Sequence, residues 1–125
     1  SIPLEENTYD VIFCNHVLEH VEDDHQCMTE LYRIMKPGGW GIFQVPIDTN
    51  NPITEEDKSV TNPKERERLY WQDDHLRLFG LDYGKKLAAA GFKVTESDFI
   101  NELSPELVER YALPKGEIVY FCEKA

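Results

Sequence analysis

The sequence predicts an α/β fold, because short apolar runs typical of strands alternate along the chain with apolar residues at helical spacing. The chain has 125 residues, which suits one domain and leaves no room for a second of ordinary size. Hydrophobic residues make up 41% of it, which is enough to build a packed core. We therefore expect strands and helices around a single core.

Two neighbouring patterns predict the first strand and the first helix. Residues 9–14 form a nearly continuous apolar run, typical of a strand that is buried on both faces of a parallel sheet. A helix follows, which Asp23 or Asp24 can cap and whose apolar residues recur at helical spacing over residues 27–35. Pro37 and the two glycines after it are expected to end this helix.

One long connection divides the rest of the chain. Residues 40–45 predict the second strand, and residues 47–77 follow with many charges and no long apolar period. We expect residues 47–77 to form a lid-like insertion with a short helix around residues 64–70. Tyr70 and Trp71 at its end either close over a substrate or anchor the loop on the core. The later predicted elements are a helix at 81–90 ended by Gly91, a strand at 92–99, a short helix from Ser104 to Leu113, and a last strand at 118–122.

Charge and cysteine content limit the partners and the compartment. Lys and Arg number 13 and Asp and Glu 24, so the net charge is −11, which disfavours nucleic acid and anionic membranes as main partners. Cys14, Cys27 and Cys122 are far apart and form no C-x-x-C pair, which argues against a zinc ribbon or a disulfide framework. With no targeting segment and no long apolar stretch, we expect a soluble, cytoplasmic protein with reduced thiols.

Several motifs resemble one family, in matching order and spacing. Residues 3–12, Pro-Leu-Glu-Glu-Asn-Thr-Tyr-Asp-Val-Ile, are similar to the stretch that leads into the fourth strand of class I S-adenosylmethionine-dependent methyltransferases. Residues 17–21, Val-Leu-Glu-His-Val, resemble the segment after that strand. Residues 30–39 resemble the family's helix end and the turn before its fifth strand, and residues 75–79 with 90–92 resemble a later part.

The resemblance implies a Rossmann-like sheet with S-adenosylmethionine lying across the carboxyl ends of the strands. The chain would supply strands four to seven, in the order fourth, fifth, seventh, sixth, with the last strand antiparallel between its neighbours. The family's glycine-rich cofactor loop would lie upstream of Ser1, and Gly38, Gly39 and Gly41 do not replace it, since they follow a helix and form a turn. Residues 1–125 are therefore expected to be a partial methyltransferase domain, the carboxyl-terminal half, which binds the cofactor poorly alone.

A half-domain of this kind would leave one strand without a neighbour. Losing the family's first strand would expose the edge of the strand at residues 9–14. Bare apolar edges tend to pair with other chains. We therefore expect residues 9–14 to pair with another copy of the chain, giving a homo-oligomer, or with a missing segment.

The implied reaction is direct transfer of the sulfonium methyl group to a small-molecule acceptor. The protein would align the donor and the acceptor and exclude water, and an oxygen or nitrogen acceptor also needs a base. Asn15, His16 and Val17 would lie beside the cofactor, with an ordinary strand-to-loop turn as the alternative. His75 and His20 are the predicted catalytic residues, since histidine can act as a general base near neutral pH, and a structural role is the alternative.

A second chemistry is suggested by the pattern H-x-x-E-H. On a helix, His16, Glu19 and His20 would share one face, as metal sites require. The preceding buried strand argues against a zinc peptidase of the inverted type, so the leading interpretation assigns no metal ligand. Two alternatives remain open: a metal-dependent enzyme that uses these three residues, and a non-catalytic α/β interaction module.

Overall fold

The computed structural model describes residues 3–97 and 118–125, and their strands form one mixed sheet. The elements, in chain order, are β1 (Tyr9–Asn15), α1 (Asp24–Ile34), β2 (Met35–Gln44), α2 (Pro63–Tyr70), α3 (Tyr83–Ala89), β3 (Lys93–Ser97) and β4 (Val119–Glu123). The strand order is β1-β2-β4-β3, with β1 parallel to β2 and β4 antiparallel to both of its neighbours. The predicted order, with the last strand antiparallel between the two before it, is confirmed.

Helix α1 begins as its sequence predicts. The Asp23 carboxylate accepts a hydrogen bond from the Gln26 N–H at 3.0 Å, which satisfies one free donor of the first turn. Its apolar face is buried through Met28, Leu31 and Ile34. Within the described residues, no helix has the length and apolarity needed to cross a membrane.

The end of α1 differs from the prediction. The helix ends at Ile34, three residues before Pro37, and Met35 is already extended. Met35 pairs with Tyr9 of β1, and the Thr8 N–H donates to the Ile34 C=O at 2.8 Å. The segment that leads into β1 thus satisfies a carbonyl of the last helical turn, so the neighbouring strand ends the helix before proline does.

The glycines after the helix lie within β2, rather than in the predicted turn. A Cβ on Gly41 would lie 2.7 Å from the Ile12 carbonyl oxygen, and one on Gly39 would lie 2.8 Å from the Asp10 carbonyl oxygen. Both contacts are with the backbone of β1. Glycine at these positions therefore allows the two parallel strands to approach each other.

Burial of β1 also differs from the prediction. Among the described residues it pairs with β2 alone, and Val11 and Phe13 are 39% and 46% exposed. The expectation of a strand buried on both faces is therefore wrong, since the alternate residues Tyr9, Val11 and Phe13 are exposed on one face while Cys14 is buried on the other. The core lies instead between the sheet and helices α1 and α3, which contact each other.

The second half of the chain follows the prediction where it is described. Helix α2 coincides with the helix expected around residues 64–70, and α3 lies inside the predicted range 81–90. Strands β3 and β4 lie within one residue of the predicted ranges where they are described. The end of the predicted strand at 98–99 and the predicted helix from Ser104 to Leu113 lie outside the described residues.

The cysteines are free thiols, in line with the expectation of reduced cysteines. Burial raises the pKa of Cys14 and of Cys122 to about 12, and burial also raises the pKa of Cys27. Thiols with such pKa values carry little thiolate at neutral pH, and the thiolate is the reactive form. The cysteines are therefore packing residues rather than nucleophiles.

Candidate functional site

The carboxyl ends of the parallel strands β1 and β2 meet at one edge of the sheet. Asn15 and Gln44 are paired in the register, and the His16 N–H donates to the Gln44 C=O at 2.8 Å. His16 then turns the chain with a φ of 55°, in the left-handed region. In open α/β sheets this edge is where ligands bind. The structure thus places the predicted cofactor residues, Asn15 to Val17, at this edge.

Asn15 carries an unpaired acceptor at this edge. Its Oδ1 atom is buried and has no hydrogen-bond partner within the part of the chain that the structure describes. Buried polar atoms are nearly always hydrogen-bonded, so an unpaired one is informative. His16 and Val17 are exposed beside it. An amine or amide donor of a ligand would satisfy Asn15 Oδ1, which fits a cofactor that carries amino groups.

The Glu19 side chain lies in the turn after β1, and its carboxylate is buried there without hydrogen bonds from the described residues. The residue is 1% exposed, and among residues 3–97 and 118–125 neither carboxylate oxygen has a hydrogen-bond partner. Its Oε2 atom lies 3.5 Å from His16 Nδ1 and 4.0 Å from His75 Nε2. Burying a carboxylate without hydrogen bonds is costly.

His75 and His20, the predicted catalytic residues, contact each other beside Glu19. Their ring centroids are 4.7 Å apart in an edge-to-face arrangement. His75 is buried, and its Nδ1 lies 2.9 Å from the Tyr70 C=O. A carbonyl can only accept, so Nδ1 carries a hydrogen, and Nε2 is directed towards Glu19. The His20 side chain is 34% exposed, with Nδ1 3.3 Å from the Asp74 C=O.

The structure changes the metal set suggested by the pattern H-x-x-E-H. The chain between β1 and α1 forms turns, so His16 and His20 do not share a helical face. Instead, the potential ligand atoms of Glu19, His20 and His75 all lie within 4.8 Å of one another. His75, which is remote in sequence, takes the place that the pattern would give to His16.

Arg77 holds this region together, and sequence reasoning missed its role. It is 1% exposed, and its guanidinium donates to the carbonyls of Leu18 at 2.6 Å and Glu22 at 2.9 Å. Its Nε donates to Glu56 Oε1 at 2.6 Å. The cation therefore joins the turn after β1 to the segment 47–77. The only signal in the sequence is a charge inside the apolar stretch at residues 76–79.

Asp24 extends this charge network to α3. Its Oδ2 lies 3.0 Å from Lys86 Nζ and 3.9 Å from Arg77 Nε. Burial acts to raise the pKa of Asp24, but the hydrogen bond and charge of Lys86, with the charge of Arg77, outweigh it, so the pKa is lowered from 3.8. The ionised carboxylate is thus stabilised by the fold.

A cavity of about 300 Å³ opens beside the end of β2. It is lined by Gln44, Val45, Pro46, Ile47, Thr49, Trp71, Leu81, Ile118 and Tyr120. The Gln44 side chain accepts from the Tyr120 N–H at 2.8 Å and donates to the Ile118 C=O at 2.9 Å. The Gln44 side-chain amide thus joins the end of β2 to the backbone at the start of β4. The sequence pattern did not predict this contact.

Tyr70 and Trp71 differ in their surroundings. Tyr70 is buried, and its hydroxyl oxygen accepts from the Asp57 N–H at 2.9 Å, so it anchors the segment. Trp71 has a φ of 77°, is 51% exposed and lines the cavity. The left-handed backbone at Trp71 turns these neighbouring aromatic side chains to different surroundings.

A family model described as a methyltransferase domain matches residues 1–43. This range runs through β1 and α1 and ends one residue before the end of β2. No curated protein sequence matches the chain.

Solved structures share the fold of the chain. An S-adenosylmethionine-dependent methyltransferase from Thermotoga maritima is 19% identical, with a TM-score of 0.57 over 100% of this chain and 60% of its own. One from Mesorhizobium loti is 14% identical, with a TM-score of 0.51 over 98% and 63%. The [4+2]-cyclase SpnF is 16% identical, with a TM-score of 0.63 over 99% and 53%.

This chain spans 53% to 63% of the length of those three structures. At such identities the likeness shows the fold. Together with the family match, it confirms the predicted resemblance to class I S-adenosylmethionine-dependent methyltransferases and the partial Rossmann-like sheet. The cyclase shows that the same fold also hosts another reaction, so the reaction has to be argued from the site.

Arg77→Lys is expected to lower the free energy of unfolding by about 3 kcal/mol or more, because a lysine cannot replace the planar set of donors to Leu18, Glu22 and Glu56. Urea denaturation followed by circular dichroism measures this loss. Arg68→Lys is the matched control, since Arg68 lies on the surface of α2 with Glu65 and should leave stability unchanged. Equal behaviour of the two variants would contradict the role given to Arg77.

Asp24→Asn is expected to change how stability depends on pH. Because the pKa of Asp24 is lowered in the folded state, its ionised form stabilises the fold above its ordinary pKa of 3.8, and this contribution is lost as the pH falls through the folded value. The difference in unfolding free energy between parent and variant should therefore persist from pH 7 to 5 and shrink below about pH 4. Lys86→Met, which removes the nearest cation, should reduce stability over the same range. A difference that does not change with pH would contradict the assignment.

Proposed function

Since the fold is that of class I S-adenosylmethionine-dependent methyltransferases and residues 1–43 match a methyltransferase domain, we propose that this chain takes part in methyl transfer to a small-molecule acceptor. The observation that carries the proposal is the match over residues 1–43, because it covers the strands whose carboxyl ends form the polar edge. The cofactor would supply an electrophilic methyl group. The chain's own residues would bind and orient the donor and the acceptor, and they would exclude water.

Asn15, His16 and Val17 are the residues that we propose for the cofactor side. The unpaired Oδ1 of Asn15 supports this, because it offers an acceptor to an amino group of the cofactor. Gly38, Gly39 and Gly41 lie within β2 and do not form a phosphate- or cofactor-type loop. We therefore expect the 125-residue chain to bind the cofactor weakly.

The cavity beside Gln44 is the proposed acceptor site. Apolar side chains such as Pro46, Ile47 and Trp71 line it, with Thr49 among its few polar groups. A volume of about 300 Å³ suits a small molecule with an apolar body. The net charge of −11 disfavours polyanionic acceptors such as nucleic acid. An apolar small molecule is therefore the acceptor class that the cavity supports best.

We propose different roles for His20 and His75. The His20 side chain is 34% exposed, so of the two histidines it is the one open to solvent, and we assign it the removal of the acceptor's proton. His75 is buried behind it, is fixed by the Tyr70 carbonyl and contacts the His20 ring, which makes it a positioning residue. Glu19 lies beside both histidines at the floor of this site.

We propose that residues 47–77 form a lid within a single partial methyltransferase domain, residues 1–125. Hydrogen bonds anchor this segment at two places, residues 54–55 and Tyr70. Thr54 Oγ1 donates to Asp82 Oδ1 at 2.6 Å, and Glu55 and Leu78 exchange backbone hydrogen bonds of 2.8 and 2.9 Å. Tyr70 anchors the far end, so Trp71 is held over the cavity.

The proposal predicts where the cofactor product S-adenosylhomocysteine binds. In a titration followed by two-dimensional NMR of the labelled 125-residue chain, we expect weak binding, roughly millimolar, with shifts at Asn15, His16 and Val17. Asn15→Leu should abolish these shifts, whereas Thr95→Ala on the exposed side of β3 should keep them. Micromolar affinity would contradict the partial-site proposal. No shift at the three residues would favour the non-catalytic interaction module.

We also propose that β1 pairs with a second copy of the chain. Its edge opposite β2 has no strand beside it among the described residues, and Val11 is exposed there. Sedimentation velocity should show a dimer that Val11→Lys converts to a monomer, while Thr95→Lys on the other edge strand keeps the dimer. A parent chain that stays monomeric at every concentration tested would overturn this proposal.

A further inference from the structure

The buried Glu19 carboxylate needs a partner that the described residues do not provide. Both oxygens lack hydrogen-bond donors although the residue is 1% exposed. The nearest histidine nitrogens, His16 Nδ1 at 3.5 Å and His75 Nε2 at 4.0 Å, are beyond ordinary hydrogen-bond distance. A cation between the carboxylate and the imidazoles would remove this cost.

In His75 and in His20, Nδ1 lies near a backbone carbonyl, which leaves Nε2 as the potential ligand atom. His75 uses its Nδ1 hydrogen on the Tyr70 carbonyl, which leaves Nε2 as a free ligand atom. His20 directs Nδ1 towards Asp74, whose C=O and Oδ2 lie 3.3 and 3.5 Å away, which leaves its Nε2. Metal-binding histidines are typically held by such a contact of the second ring nitrogen.

We propose that Glu19, His20 and His75 bind one divalent transition-metal ion of the zinc class. Their ligand atoms lie within 4.8 Å of one another, a spread that one ion can bridge after small side-chain movements. Two imidazoles and one carboxylate suit Zn²⁺ or Co²⁺, whereas Ca²⁺ and Mg²⁺ prefer oxygen ligands. Three protein ligands leave a coordination position open, on the exposed side of His20.

Any catalytic role of the metal rests on the proposed methyl transfer. Binding of the ion itself does not depend on that function. With an ion present, His20 would act as a ligand rather than as a free base. His16 Nδ1 would remain near the carboxylate as a neighbouring group. The site is therefore best tested without cofactor or acceptor.

Calorimetric titration of ZnCl₂ into the untagged, chelator-stripped 125-residue chain tests the proposal. We expect one ion per chain with micromolar or tighter affinity, and a loss of affinity of at least about tenfold in His20→Ala and in Glu19→Gln. His25→Ala is the matched control, because His25 is exposed on α1 and outside the cluster, and its affinity should equal that of the parent. CoCl₂ should bind at the same site, with a visible absorption spectrum that the two cluster variants lose.

Thermal unfolding separates metal binding from a merely structural role. Without metal, Glu19→Gln should melt at or above the parent temperature, because it removes an unpaired buried carboxylate. With excess Zn²⁺, the parent should gain about 5 °C or more and Glu19→Gln should not. Less than one ion bound by the parent, or equal affinity in parent, His20→Ala and Glu19→Gln, would overturn the proposal and leave the proposed methyl transfer untouched.

Discussion

The buried guanidinium of Arg77 is the interaction on which the arrangement of the site depends. Leu18 and Glu22, whose carbonyls it binds, flank the turn that carries Glu19 and His20, and His75 lies two residues before it. Five N–H donors in one plane can hold several chain segments at fixed directions, which a lysine cannot do. The turn after β1 and the end of the segment 47–77 are thus brought together by one cation.

Two buried residues of this region, Arg77 and Glu19, differ sharply in their hydrogen bonding. Arg77 donates to two carbonyls and to the Glu56 carboxylate, whereas neither oxygen of Glu19 accepts a hydrogen bond from the described residues. Folding alone gives no reason to keep an unpaired carboxylate, since a glutamine or an apolar residue would cost less there. This contrast is the observation from which we propose a metal ion as the partner of Glu19.

The sequence predicts what depends on near neighbours and misses what depends on distant ones. The Asp23 cap and the apolar face of α1 are local, and the strand order came from the resemblance, so both were predicted. The early end of α1 and the exposure of β1 depend on which strand lies alongside, which the local pattern does not contain. The contact between Glu19 and His75, and the hydrogen bonds from Arg77 to the Leu18 and Glu22 carbonyls, join residues more than fifty positions apart, so no spacing rule could reveal them.

Gln44 connects the carboxyl end of β1 with the cavity, which is a physical reason to treat the two as one site. Its backbone carbonyl accepts the His16 N–H on the side of β1, and its side-chain amide binds the backbone at Ile118 and Tyr120 on the side of β4. A single residue therefore separates the proposed positions of donor and acceptor. Methyl transfer needs the two reacting groups close together and in line, so Gln44, which contacts both proposed positions, is the residue whose replacement would disturb their relative placement.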